Sequence, residues 1–129
     1  MLDYIPTIRG LWSYIWTLKD KLSYWFPLDN EGIQDAKGYV ERHKDETDMY
    51  IAVSFFDSQG DMTKRGKASD SAGIYGLWLD IDVQCMMRSR IDLPRTTADA
   101  IKILEDGPKP SLVINSGYGL QAWWLFDEP

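Results

Sequence analysis

Cysteine and histidine are almost missing from this 129-residue chain, which contains one of each. The lone thiol of Cys85 cannot form an internal disulfide, and no second thiol is present for a zinc site. His43, without partners, makes neither a metal site nor a catalytic dyad. A reducing cytoplasm therefore suits the chain best.

Long apolar runs are also lacking. No stretch approaches the roughly 20 apolar residues that span a bilayer. The N-terminal region does not have the apolar centre of a signal peptide, because Asp3, Pro6 and Arg9 interrupt it. We therefore expect no membrane among the partners of this protein.

Positive charge is in deficit, since 14 Lys and Arg stand against 20 Asp and Glu and give a net charge of −6. Such a balance argues against nucleic-acid binding through net charge alone. The basic residues are nevertheless grouped on both sides of the stretch 75–83: Lys64, Arg65, Lys67, Arg88, Arg90 and Arg95. They form either solvated loops or an anion-binding surface, in which Arg65 and Lys67 are candidate contacts for phosphate or DNA.

Apolar residues, by contrast, are abundant. They make up 44% of the chain and include 6 Trp, 7 Tyr and 4 Phe. This content predicts a folded core rather than disorder. The length fits one domain, or part of a larger one.

The stretch 75–83 predicts a β-strand, because apolar and polar residues alternate along it. The alternation places Asp80 and Asp82 on the same face. Two close carboxylates repel each other unless something neutralises them, and Mg²⁺ typically takes one or two protein carboxylates plus substrate phosphates. The alternative is a strand with one solvated face, although aspartate is depleted in strands.

The first half of the chain predicts a hairpin over residues 13–26, with a polar turn at 19–21. A helix is the competing interpretation of that segment, because apolar residues also recur there at helical spacing. A helix over 31–43, a single strand over 49–56 and a polar loop over 57–71 are expected to follow.

The second half predicts a helix capped by Thr96 or Thr97, with Ala100, Ile101 and Leu104 facing inward, then strands over 112–115 and 120–126. Together with the carboxylate strand this order is the first part of a split β-α-β unit of ferredoxin-like type. The last strand should then lie beside the carboxylate strand, with Gln121 on the face of the two aspartates.

A glycine-rich turn, residues 116–119, joins these two last strands. Ser116, Gly117 and Gly119 offer backbone N–H groups with little obstruction, which suits a phosphate. Hairpins also need glycine for positive φ, so the turn is either structural or anion-binding. An acid pair and such a turn on adjacent strands are what a nucleoside triphosphate and its metal would need.

Two motifs resemble the archaeo-eukaryotic primase superfamily, and most of all the primase-polymerase domains of phages, plasmids and mobile elements. The first is the strand Leu-Asp-Ile-Asp at 79–82. The second is Ser-Gly-Tyr-Gly-Leu-Gln at 116–121, followed by aromatics and the Asp-Glu-Pro ending at 127–129. The resemblance covers most of the chain, but its specificity lies in about 25 residues.

The resemblance implies a DNA primase or DNA-directed polymerase, a metal-dependent nucleotidyltransferase acting in the cytoplasm of a cell or a phage-infected host. Asp80 and Asp82 would hold Mg²⁺ or Mn²⁺, and Ser116, Gly117 and Gly119 would line the triphosphate. Gln121 stands where most members have a histidine, and glutamine can donate a hydrogen bond but carries no charge. Nucleoside triphosphates and template DNA would be the partners, with a helicase in the same chain or separate.

The expected fold class is α+β. Residues 1–70 would form an N-terminal α/β module, and residues 71–129 the first part of the RRM-like (ferredoxin-like) half sheet of the primase fold. The family's third acid, on a later strand, has no counterpart before Pro129, so we expect 1–129 to be the N-terminal portion of a catalytic domain and this fragment to be inactive alone.

Three other classes of protein share part of this pattern. Haloacid-dehalogenase-like phosphatases need a small hydroxyl residue soon after their Asp pair, whereas residues 83–85 are Val-Gln-Cys. DxD glycosyltransferases need a nucleotide-binding α/β half upstream, which 79 residues do not supply. A non-catalytic nucleic-acid-binding or replication-initiation module on the same fold is the main alternative.

Overall fold

The computed structural model describes residues 1–85 and 92–126. Their helices and strands are β1 (Trp12–Thr17), β2 (Ser23–Pro27), α1 (Asn30–His43), β3 (Met49–Ile51), β4 (Ser54–Phe56), β5 (Ser71–Ile74), β6 (Gly76–Asp82), α2 (Thr97–Glu105), β7 (Leu112–Asn115) and β8 (Gly119–Leu125). Single 3₁₀ turns lie at Leu2–Tyr4 and Ala68–Asp70. The α+β class is confirmed, since both sheets contain antiparallel strand pairs and helices accompany them.

The chain divides into two compact units, one ending at Tyr75 and the other beginning at Gly76. The expected boundary after residue 70 therefore lies too early. The reason is β5, which pairs with β4 through Ser54↔Ile74 and so belongs to the first sheet.

The first unit is a five-stranded sheet in the order β2-β1-β4-β5, with β3 also paired to β1. The predicted hairpin over 13–26 is confirmed, because β1 and β2 pair in antiparallel register from Trp12↔Pro27 to Trp16↔Ser23. Helix α1 begins at an Asp29 cap, whose Oδ1 accepts the Gly32 N–H at 2.8 Å. It packs on one face of the sheet, where Tyr39 stacks on Tyr24 at 4.3 Å.

The opposite face of this sheet is aromatic. Tyr14, Trp25 and Phe56 form a cluster with ring centroids 4.8 to 5.9 Å apart. The polar loop that follows β4 is attached to this face, since its backbone oxygens at Asp61 and Lys64 accept hydrogen bonds from Trp25 Nε1 and Ser23 Oγ. The loop predicted over 57–71 thus ends in β5 and is held against the sheet.

The single strand predicted over 49–56 is wrong, because β3 and β4 are separate strands. Both pair with β1, but the registers Ile15↔Ile51 and Trp12↔Phe56 differ by two residues, so regular pairing is interrupted at Ala52 and Val53. The Ala52 N–H still donates to Tyr14 O of β1 at 3.0 Å. Tyr75 satisfies the carbonyl groups of both residues: its hydroxyl donates to Ala52 O and its N–H to Val53 O. The carbonyl groups at this break are satisfied by a residue more than 20 positions away in the sequence. The alternation of apolar and polar residues within 49–56 therefore could not predict the break.

The second unit is a three-stranded antiparallel sheet in the order β6-β8-β7. The predicted order of strand, helix, strand, turn, strand is confirmed, and β8 lies between β6 and β7 as expected. Helix α2 begins at Thr96, whose Oγ accepts the Asp99 N–H at 3.1 Å. Ala100 and Leu104 are buried against the sheet.

The inward orientation expected for Ile101 is wrong, because its side chain is 44% exposed. One residue corresponds to about 100° of helix rotation, so the residue after Ala100 turns away from the sheet while Leu104, four residues on, returns to it.

Tyr75→Phe should destabilise the first unit. Tyr75 is completely buried, and burial raises the pKa of its hydroxyl well above the usual range, so the neutral group remains a donor to Ala52 O. Removing it leaves a buried carbonyl without that donor, at a cost of about 1–3 kcal/mol in the free energy of unfolding. Urea denaturation monitored by circular dichroism measures the loss.

Tyr4→Phe is the matched control, because it removes the same hydroxyl from a side chain that is 50% exposed. It should leave the unfolding midpoint nearly unchanged. Equal midpoints for the Tyr75 variant and wild type would contradict the role assigned to this hydrogen bond.

Candidate functional site

The two aspartates of β6 lie on one face of the second sheet, as predicted. The β6–β8 register pairs Asp80 with Gln121 and Asp82 with Gly119. Directly opposed residues share a face, with Cβ atoms about 4.5–5.5 Å apart. The carboxylate of Asp80 and the amide of Gln121 are therefore cross-strand neighbours, which confirms the expected placement of Gln121.

The helix of this unit lies on the opposite face. Ile81, Leu120 and Ala122 alternate with the site residues and form the buried core with α2. The face of Asp80 is not the face that α2 covers, and the Asp80 side chain is exposed while Asp82 is partly buried. The Asp80 carboxylate is consequently accessible to a ligand at the surface of the sheet.

This arrangement can supply two carboxylates to a divalent cation. Within residues 1–85 and 92–126, no cluster of three or more His, Cys, Asp and Glu side chains is placed to hold a metal ion. Mg²⁺ keeps several water or phosphate oxygens and needs only one or two carboxylates from the protein. The donor set fits a hard cation that arrives with, or is completed by, an oxygen-rich ligand.

The turn between β7 and β8 lies at the Asp82 end of this ladder. Gly117 adopts a positive φ of 83° and donates its N–H to Asn115 Oδ1 at 2.9 Å. The Ser116 N–H donates to Gly119 O at 3.0 Å, and Ser116 Oγ accepts the Tyr118 N–H at 3.4 Å. The turn amides thus have internal acceptors, and an anion at Gly117 would compete with the Asn115 side chain.

Gly119 is required by the close approach of β8 to β6. A Cβ atom at this position would collide with the carbonyl oxygen of Ile81 and would lie 3.1 Å from Asp82 Cα. The glycine therefore allows the backbone of the turn to reach the strand that carries the carboxylates.

An aromatic pair on the same face was not anticipated. Trp78 pairs with Trp123 across the ladder, and the two rings stack with centroids 6.0 Å apart and planes inclined by 27°. Trp123 is 5% exposed, whereas Trp78 is 51% exposed. Trp78 lies two residues before Asp80, and Trp123 lies two residues after Gln121. In an antiparallel pair that aligns Asp80 with Gln121, these spacings place the two tryptophans opposite each other, so the sequence could have predicted the pair.

The candidate basic contacts belong to the first unit. The Arg65 guanidinium lies 3.5 Å from the Trp16 ring centroid, a cation–π contact, and Lys67 is exposed beside it in sequence. Both line a cavity of about 310 Å³ with aromatic residues Trp25 and Phe56. Three aspartates also line it, so the cavity is not a purely cationic site.

Several predicted features fall outside the described residues. These are Arg88 and Arg90 of the second basic group and the acidic-proline ending at 127–129. Arg95, the remaining member of that group, is exposed.

Comparisons with protein-family models, curated proteins and solved structures find no match to this chain. The primase resemblance accordingly stays a prediction drawn from the residues of its two motifs. Among the described residues, the two helices are too short and polar to be candidates for crossing a membrane.

Gly119→Ala should disturb the site by pushing the turn away from β6. Overpacking of this kind costs about 1–3 kcal/mol, which should lower the unfolding midpoint of the second unit in urea. Gly107→Ala is the control, because the nearest heavy atom to its added Cβ is Leu104 O at 4.0 Å. Equal stability of the two variants would contradict the close approach.

Proposed function

We propose that this chain carries the metal-binding and nucleotide-binding part of a primase-polymerase, which joins nucleotides on a DNA template in the replication of a phage, plasmid or mobile element. The observation that carries the proposal is the cross-strand placement of Asp80 opposite Gln121 and Asp82 opposite Gly119, on the sheet face away from α2. The proposal also draws on the two motifs in the sequence.

Asp80 and Asp82 would hold Mg²⁺ or Mn²⁺, because their carboxylates share one face and Asp80 is accessible. When bound, such ions neutralise the triphosphate and activate the attacking 3′ hydroxyl for in-line displacement. The two carboxylates would fix the position of the reacting phosphate relative to β6. A net charge of −6 makes this neutralisation necessary for an anionic substrate.

Gln121 would orient the triphosphate by donating a hydrogen bond from its side-chain amide, since it lies directly across from Asp80. The turn formed by Ser116, Gly117 and Gly119 would contact the far phosphates at the Asp82 end of the ladder. Arg65 and Lys67 would contact the DNA backbone or phosphate from the first unit.

A non-catalytic single-stranded nucleic-acid-binding module is the second candidate. It is favoured in the second unit by the exposed ring of Trp78, because stacking on aromatic rings is how such modules hold a strand. The first unit has, by itself, a cation beside a ring in the Arg65–Trp16 contact. The two candidates differ in what the aspartates do: a catalyst needs them, whereas a strand-binding surface is weakened by their charge.

Asp80→Asn and Asp82→Asn should each weaken Mn²⁺-dependent binding of a nucleoside triphosphate by more than about tenfold, because each removes a charged metal ligand while keeping the side-chain shape. Isothermal titration calorimetry of wild type and both variants measures the change. Asp106→Asn is the control, since Asp106 is an exposed carboxylate at the C-terminus of α2.

Binding that both substitutions leave intact would contradict the metal assignment. Tighter binding of single-stranded DNA by the two variants, without metal-dependent nucleotide binding by wild type, would favour the second candidate.

Gln121→His should strengthen triphosphate binding as the pH falls from 8 to 6. An imidazole opposite Asp80 gains a positive charge near its usual pKa of about 6.5, and that charge attracts phosphate oxygens, whereas glutamine is neutral at every pH. Titrations at several pH values measure the slope. A variant whose affinity follows the same pH profile as wild type would contradict a triphosphate position beside residue 121.

A further inference from the structure

The two rings of the Trp78–Trp123 pair differ in their exposure to solvent. Trp123 lies beneath, 5% exposed, and Trp78 stacks on it while remaining 51% exposed. The exposed part of the Trp78 indole is open to a planar ligand.

The exposed indole is in line with the carboxylates. Trp78, Asp80 and Asp82 are alternate residues of β6 and therefore share a face. At about 3.3 Å per residue, the row extends about 13 Å from Trp78 to Asp82. An extended nucleoside triphosphate has a comparable span, with its base at one end and its charged phosphates at the other.

We propose that Trp78, supported from below by Trp123, is the stacking platform for a nucleobase whose phosphate groups lie at Asp80 and Asp82. The inference rests on the proposed function for the phosphate end, and adds the recognition of the base. The base belongs either to the incoming nucleotide or to a bound single strand, and the chemistry that recognises it is the same.

The platform does not discriminate between bases. Stacking needs only a π-face, which every base has. The indole Nε1 of Trp123 is buried and has no acceptor within the described residues, so it does not read a base edge. Purine and pyrimidine nucleotides should therefore both depend on Trp78, the larger purine ring more strongly.

The test compares a ligand that has a base with one that has none. Wild type, Trp78→Tyr, Trp78→Leu and Asp80→Asn are titrated with dATP and with inorganic tripolyphosphate, each with Mn²⁺. Leucine keeps apolar cover over Trp123 but removes the ring, and tyrosine keeps a smaller ring. Leu77→Ala is the control, because Leu77 is the preceding residue, 54% exposed, on the opposite face of the same strand.

Trp78→Leu should weaken dATP binding about 5- to 150-fold, with Trp78→Tyr in between, and leave tripolyphosphate binding unchanged. A purely structural role for Trp78 would change both ligands alike. Asp80→Asn should weaken both. Leu77→Ala should weaken neither.

One result would overturn the platform and leave the proposed function standing. In that result, Asp80→Asn no longer binds dATP or tripolyphosphate, whereas Trp78→Leu binds dATP as tightly as wild type does. A third ligand, a 12-nucleotide single strand without metal, separates the remaining case. Trp78-dependent binding of that strand, with no metal-dependent dATP binding, supports the platform and refutes the nucleotidyltransferase. Absence of binding to all three ligands overturns both.

Discussion

The pairing of β6 with β8 is the constraint on which the candidate site depends. Seven residue pairs, from Gly76↔Leu125 to Asp82↔Gly119, fix which side chains share a face. Because side chains alternate, a slip of one residue would place Gln121 on the side opposite to the carboxylates. Both ends of the ladder are set by a glycine: a Cβ at Gly76 would lie 2.7 Å from Trp124 O, and one at Gly119 would collide with Ile81 O.

The same pairing explains how a strand can carry two aspartates. Within the described residues, β6 pairs on one side only, with β8, and its carboxylate face is opposite to the core formed with α2. The two aspartates are therefore not fully buried. Their carboxylates keep part of their contact with water, and most of the free-energy cost of desolvating two neighbouring charges is avoided. Ile81 is the one side chain of β6 that is buried in the core, while Leu77 and Leu79 remain 54% and 43% exposed.

Sequence patterns predicted the features that depend on local periodicity. Alternation located β6 and β8, capping residues located both helices, and the glycine turn located the β7–β8 hairpin. The expected ferredoxin-like strand order then placed β8 beside β6, with Gln121 opposite Asp80. Features that depend on distant partners were missed. The break at 52–53 needs the hydroxyl and N–H of Tyr75, and the Trp78–Trp123 stack needs the register of two strands separated by a helix.

The candidate site has a charged part, the carboxylates of Asp80 and Asp82, and a neutral part, the ring of Trp78. In an acidic chain, the carboxylates repel a triphosphate unless a cation joins them, so any binding at Asp80 and Asp82 depends on metal and falls with screening. Stacking on Trp78 depends on neither charge nor metal. If the proposed nucleotide site is correct, Gln121 would supply a dipole where a histidine can supply a charge. The neutral stacking contact would then contribute a larger share of the affinity than it would beside a cationic residue.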